Sequence, residues 1–267
     1  MRPSKIRAKL SRGEPALCTA LTLSDPTVFE LASLMGFDGI WLDLEHHPHS
    51  VETAAQLMRA ARVGNADVVV RPAKGELMRM GRLLEAGAQA IMYPRCDSPE
   101  EAAEVVRWAK FAPLGQRGLD GGNADALYTT ASLAEYLEHA NRETFIIIQL
   151  EHDRAVNHAE AIAATPGVDA IMLGPGDYSL LEGFPGQHDH PRIADALKKM
   201  AAAAKNAGKC WALPVVDVEE AKNALEMGAR LIFCGADIAI VKNGLERLKQ
   251  QFSSLGFAFD ARYPRNP

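Results

Sequence analysis

Short apolar runs recur along the chain, and longer amphipathic segments separate them. Eight runs read as strands: Ala16–Leu23, Gly39–Leu44, Asp67–Arg71, Ala90–Pro94, Phe145–Leu150, Ala170–Gly174, Lys209–Val215 and Leu231–Gly235. They are short, rich in β-branched residues and apolar throughout rather than alternating, as strands buried on both faces are. Helical periodicity fills the spaces between them, at Pro26–Met35, Val51–Arg62, Glu76–Ala86, Pro99–Ala109, Ser132–Asn141, Asp153–Thr165, Pro191–Ala207 and Val218–Met227, with a last helix from Ile238 to about Phe252. Asp153 is the expected N-cap of its helix. Gly36, Gly64, Gly87, Gly208 and Gly228 follow five of these segments as helix stops. Strand and helix in strict alternation predict an α/β fold with a parallel sheet. Eight such units in 267 residues match a single (β/α)₈ TIM barrel, although an open doubly wound sheet shares the pattern. One domain is expected over 1–267, with 253–267 an irregular C-terminal tail. The connection 112–130, APLGQRGLDGGNADALYTT, breaks the rhythm as a long glycine-rich loop, a length that points to function or disorder.

Composition narrows the function classes. A net charge of -5 with 24% charged residues supplies no electrostatic grip for nucleic acid. No apolar run reaches the ~20 residues of a membrane helix, and Arg12-Gly13-Glu14-Pro15 stands where a secretory core would begin. Cys18, Cys96, Cys210 and Cys234 are widely spaced and form no CxxC pair, which favours a reducing cytoplasm over a disulfide framework.

The chemistry is expected where the strands end, because that face of a parallel barrel carries the active site. The fifth run stops at Glu151, and the sixth leads through Gly174-Pro175-Gly176 to Asp177. Right-handed crossovers put both exits on one sheet edge, ~5 Å apart between neighbouring strands. Two carboxylates converging there repel each other unless one is protonated or a cation lies between them. Such hard oxygen ligands suit Mg²⁺ or Mn²⁺ better than zinc. The second run ends in Asp43-Leu44-Glu45-His46-His47-Pro48-His49, and alternation places Asp43 and Glu45 on one side with His46 at the exit. A carboxylate beside His46 would make it a general acid or base, whereas His47 and His49 read as part of a polar turn. Arg71 ends the third run and needs an anion, either the substrate or an internal acid such as Glu45. Cys96 reads as an ordinary buried thiol, and Gly235-Ala236-Asp237 as the N-cap of the last helix. The glycines at 174 and 176 lack phosphate-loop spacing and would instead let backbone N–H groups approach a small carboxylate.

The ordered segments GFDGIWLDLEHHPHS, VVVRP, GAQAIMYP, FAPLGQRG, QLE, GVDAIMLGPGDYS and the HP at His190-Pro191 resemble the class II pyruvate-dependent aldolases of the HpcH/HpaI family, from about Thr19 to Asp237. The resemblance implies a (β/α)₈ barrel assembled as a hexamer with exchanged C-terminal helices, and a divalent ion, Mg²⁺, Mn²⁺ or Co²⁺. It implies reversible cleavage of a 4-hydroxy-2-oxo acid to pyruvate and an aldehyde, both small-molecule partners. Glu151 and Asp177 fall on the family's metal ligands, and pyruvate is implied to chelate the metal through its carboxylate and keto oxygen. Arg71 falls on the keto-oxygen donor, Asp43 and His46 on the proton-handling pair, and Glu45 on a supporting acid. Gln149, Gly174, Pro175 and Gly176 join Arg71 as implied substrate contacts. Arg95, Cys96, Leu119-Asp120-Gly121-Gly122-Asn123, His152 and Tyr178 depart from the family pattern around the pocket. The same residues would also serve oxaloacetate decarboxylation, or oxo-acid binding without turnover.

Overall fold

In a computed structural model, described over residues 2–260, eight parallel strands close into a barrel in sequence order. They are β1 (Ala16–Leu21), β2 (Gly39–Asp43), β3 (Asp67–Arg71), β4 (Ala90–Tyr93), β5 (Phe145–Leu150), β6 (Ala170–Leu173), β7 (Cys210–Val215) and β8 (Leu231–Ala236). Closure comes from β1, which pairs with β2 on one side and β8 on the other. This excludes the open sheet.

The helices that follow the strands are α2 (Pro26–Leu34), α3 (Val51–Ala60), α4 (Leu77–Ala86), α5 (Pro99–Ala109), α6 (Leu133–Glu143), α7 (Asp153–Asn157), α8 (Ala159–Ala164), α10 (Pro191–Ala207), α11 (Val218–Glu226) and α12 (Asp237–Ser253). Ser50, Ser98, Ser132 and Asp217 cap four of them through their side chains, each satisfying a first-turn N–H that would otherwise be orphaned. Two helices were not legible in the pattern, α1 (Lys5–Ser11) and α9 (Pro175–Leu181). The helix expected over Asp153–Thr165 is interrupted at His158, and its N-cap is His152, not Asp153; the His152 imidazole accepts from the Arg154 N–H. Ala236 rather than Asp237 is the N-cap of α12. The Asp237 carboxylate is instead buried, and accepts from the backbone of Thr22 and Leu23 and from the Thr22 hydroxyl at 2.7–2.8 Å. It fastens the exit of β1 to the start of α12.

Two apolar layers form the core. Strand residues such as Val68, Val70, Ile146, Ile148 and Ile171 pack outward against the helices, while Val69, Met92, Ile147, Met172 and Phe233 fill the barrel interior. Ile6 of α1 joins the interior layer and plugs the end where the strands begin. Asp67 holds that plug: its carboxylate accepts from Ser4 Oγ at 2.6 Å, Ile6 N at 2.9 Å and Lys5 N at 3.0 Å. The far end of the barrel, where the strands stop, carries the polar residues.

Within the long connection, Leu127, Tyr128 and Thr129 take consecutive left-handed conformations, with φ of 54°, 54° and 69°. The cysteines are all free thiols, and among the described residues no helix is long and apolar enough to cross a membrane. The tail continues beyond α12 without regular structure to residue 260, and the rest of the 253–267 expectation lies outside the described residues.

Candidate active site

The register of β2 and β3 aligns Asp43 with Arg71, the last residue of each strand. Both are buried, and the pair is a two-point fork: Arg71 Nε donates to Asp43 Oδ1 at 2.8 Å and Nη2 to Oδ2 at 2.7 Å. The guanidinium also lies 4.7 Å from the centre of the Trp41 ring, a favourable cation–π arrangement. Burial alone would raise the Asp43 pKa, but the Arg71 hydrogen bonds and charge outweigh it and the carboxyl is held below its ordinary value. Asp43 therefore stays ionised and orients Arg71, and Nη1 makes no hydrogen bond among the described residues.

The pairing expected between Asp43 and His46 is not formed. Asp43 Oδ2 lies 2.9 Å from Nδ1 of His47, four residues on. Because Arg71 already sets the direction of the Asp43 carboxylate, only the turn that brings His47 back over the strand end can reach it. His46 turns the other way, half-exposed, with Nε2 3.7 Å from both Glu45 Oε2 and Asp177 Oδ2. It bridges the edges of β2 and β6 instead of sitting on Asp43.

Glu151 follows β5, buried with 2% of its surface exposed. Gly174 leaves β6 with its N–H donating to Leu150 O at 3.1 Å, which brings the two strand exits side by side. A β-carbon at 174 would collide with Glu151 Oε1 and lie 2.6 Å from Gln149 Nε2, so glycine is required there by the approach of the carboxylate. Gly176 has no such neighbour. Pro175 begins α9, and Asp177 stands in its first turn, where a carboxylate is favoured by the N–H groups of the helix start. Gln149 Nε2 donates to Glu151 Oε1, and the Arg95 backbone N–H donates to Oε2 at 2.9 Å. Burial, then Asp177, then Glu45 push the Glu151 carboxyl from its ordinary 4.5 up to about 8. Glu45 is also raised, chiefly by burial. Its Oε2, 3.3 Å from Arg71 Nε, is buried without a hydrogen bond, as is Gln149 Oε1.

Glu151 thus feels the charges of Asp177, Glu45 and Arg71 together, and two buried oxygens have no donor among the described residues. That donor set fits a hard divalent cation, which takes carboxylate and amide oxygens and keeps water or substrate in its remaining positions. Among the described residues no group of three or more His, Cys, Asp or Glu is arranged to enclose a metal unaided. A two-carboxylate site completed by other ligands agrees with this. Cavity size does not pick out this position. A groove of about 470 Å³ between α10 and α11 is larger than the space beside Glu151 but contains none of these acids.

His47, expected only as part of a polar turn, is instead the imidazole that meets Asp43. Its four-residue spacing from Asp43 is the sequence signal for that contact. Cys96 is buried, and burial pushes its thiol up to about 12, which agrees with an inert side chain.

The profile of the family described as HpcH/HpaI aldolase/citrate lyase matches residues 20–244. A hydroxypyruvate/pyruvate aldolase of Pseudomonas aeruginosa is 31% identical over 93% of this chain and 92% of its own. A 5-keto-4-deoxy-D-glucarate aldolase of Klebsiella pneumoniae is 29% identical over 94% of this chain and 97% of its own. The crystal structure of an HpcH/HpaI aldolase from Desulfitobacterium hafniense superposes with a TM-score of 0.87 at 29% identity, covering 97% of this chain and 98% of that one.

Proposed function

The chain belongs to the HpcH/HpaI aldolase/citrate lyase family, and from that premise we propose that it is a carbon–carbon lyase cleaving a 4-hydroxy-2-oxo acid to pyruvate, or a close analogue, and an aldehyde. The observation that carries this reading is buried Glu151 beside the strand exit that bears Asp177, with His46 3.7 Å from both Asp177 and Glu45, and an arginine whose Nη1 is uncommitted among the described residues. Glu151 and Asp177 would hold Mg²⁺, Mn²⁺ or Co²⁺, whose Lewis acidity would ease charge development on the oxo acid.

The side chains divide the remaining work. His46 Nε2 takes the proton of the 4-hydroxyl, and the oxygen pair left behind becomes the aldehyde C=O. The C3–C4 bond pair moves into C2–C3, and negative charge collects on the C2 oxygen. Arg71 Nη1 donates to that oxygen as the charge develops, which is where a preorganised donor lowers the barrier. Asp43 is a positioning residue, because it keeps the guanidinium from swinging away. A proton returned to C3 completes pyruvate, and half-exposed His46 exchanges protons with water between turnovers. Backbone and side chain at Gly174, Pro175, Gly176 and Gln149 border the oxo acid.

The test is loss of the pyruvate methyl proton resonance in D₂O. Exchange is expected to stop with EDTA and to return with Mn²⁺, Mg²⁺ or Co²⁺; exchange indifferent to EDTA, or absent with all three ions, overturns the reading. Carbon dioxide release from oxaloacetate with no turnover of any aldehyde would reassign the reaction to decarboxylation.

The protein is further proposed to act as a homo-oligomer, a hexamer by family resemblance, in which α12 packs on another copy. Ile240, Val241, Leu245, Leu248 and Phe252 leave the outer face of α12 apolar and exposed, an arrangement that marks an interaction surface. Leu31, Leu34 and Met35 expose a second apolar face at α2. Light scattering is expected to show an oligomer that Leu245→Glu with Leu248→Glu dissociates, and a wild-type monomer rejects the assembly. The four free thiols support placement in a reducing compartment, the cytoplasm.

A further inference from the structure

Beside Glu151 lies a cavity of about 190 Å³ walled by Lys74, Arg95, Asp97, His152 and Arg154. The proton and charge chemistry proposed above uses none of these five side chains. Lys74 and Arg154 both spend their charge on Asp97, at 2.9 Å each, and Lys74 also reaches Glu101 at 3.3 Å. Arg95 is different. Its side chain is exposed and among the described residues makes no hydrogen bond or ion pair, while its backbone is held at both ends. The N–H donates to Glu151 Oε2 at 2.9 Å, and the carbonyl accepts from Lys74 Nζ at 2.5 Å. Those two contacts keep the residue in the left-handed region, at φ 52°, which disfavours a side chain as bulky as arginine. A strained backbone persists where its surroundings over-determine it, and such positions concentrate at ligand sites. Apart from Glu151, the wall carries three cations and one acid, and the unspent cation is the one bonded through its own peptide to the site.

We infer that Arg95 is a specificity-determining residue that binds an oxyanion, a carboxylate or a phosphate, at the far end of the acceptor aldehyde. This rests on the aldolase reading above, because the acceptor must meet pyruvate next to Glu151. A guanidinium matches either oxyanion with two parallel hydrogen bonds. Neutral aldehydes gain nothing from it. Lys74 and Arg154, already balanced by Asp97 and Glu101, do not compete for the contact.

The experiment measures condensation of pyruvate with paired acceptors: glyoxylate against acetaldehyde, succinic semialdehyde against butanal, and glyceraldehyde 3-phosphate against glyceraldehyde. The pair with the largest charged-to-neutral ratio of kcat/KM identifies the oxyanion and its reach. In Arg95→Met that ratio is expected to fall about 10- to 100-fold, mostly through KM, as for loss of one charge-assisted contact. Arg95→Lys, which keeps the charge and loses the fork, should fall less, and the wild-type ratio should decline with added salt. A ratio that stays within twofold in Arg95→Met overturns the inference. If that variant does not fold, a wild-type ratio near one for every pair, or one indifferent to salt, does the same. Methyl exchange in the wild type separates the two readings: exchange with an unchanged ratio rejects only the role of Arg95, and no exchange with any ion rejects the aldolase reading and this one with it.

Discussion

Glu151→Gln is expected to reduce pyruvate methyl exchange by about 10²–10³-fold or more and, at the same time, to stabilise the metal-free protein above neutral pH. The loss follows from removing one of two carboxylates available to a cation. The gain follows from electrostatics. Folding raises the Glu151 pKa from 4.5 to about 8, so the folded state binds the proton more tightly than the unfolded chain. The stability this contributes is complete below pH 4.5 and is lost as pH rises toward 8, by up to ~1.4 kcal/mol for each pH unit crossed. Glutamine carries no charge at any pH, and the slope disappears. Its carbonyl can keep the Arg95 N–H, and the amide of Gln149 can turn over to offer its orphaned Oε1 to the new NH₂. Asp67, pushed up to about 6, titrates in both proteins and cancels in the comparison. Urea denaturation of both metal-free proteins at pH 5.5 and 8.5 checks the sign. Equal pH slopes would show that Glu151 is not the buried acid described here. For the wild type, metal binding near pH 7 should release a proton, and calorimetry in buffers of different ionisation enthalpy reads it directly.

Replacing Arg71 with methionine should harm catalysis and folding together. With the guanidinium gone, the charge on the C2 oxygen loses its donor, and kcat is expected to fall by about 10²–10³-fold with a smaller change in KM. Asp43 and Glu45 also lose their counter-ion in a buried setting, and breaking such a pair typically costs about 3–5 kcal/mol. Adding Asp43→Asn to Arg71→Met removes the more closely paired of the two stranded carboxylates and should recover part of the stability while leaving kcat low. Stability and activity thus separate in the double variant. A raised KM with normal kcat in Arg71→Met would assign the residue to ground-state binding alone, and coincident recovery of both properties in the double variant would reduce it to a structural role.

How far the site could be read in advance depended on the distance over which each contact acts. Glu151 directly follows β5 and Asp177 stands in the helix that follows β6, because parallel pairing and a short crossover leave little freedom in where those exits lie. Arg71 and Asp43 were legible as strand-end residues, but their mutual fork depends on cross-strand register, and periodicity along one strand does not encode it. His46 and His47 are adjacent, and either could have met Asp43. The choice was made by a turn held by hydrogen bonds to the exits of other strands, from Leu44 N to Arg71 O at 2.8 Å and between His49 Nε2 and Thr22 O at 3.1 Å. The N-terminal helix α1 is not legible in the pattern for a related reason. Its seven residues hold little apolar signal, and its position comes from Asp67, some sixty residues away.

Local patterning by itself determined the alternation of strand and helix, the glycines that stop four of the helices, and the kinds of side chain delivered to the mouth of the barrel. These follow from propensities and periodicities acting over a few residues. Only the tertiary structure decided that the sheet closes, that Arg71 spends two donors on Asp43, that His47 rather than His46 takes the remaining face of that carboxylate, and that the Arg95 side chain has no partner among the described residues beside Glu151. Each of those is a choice among partners distant in sequence but near in space, and burial and charge balance settle it once the strands have come together.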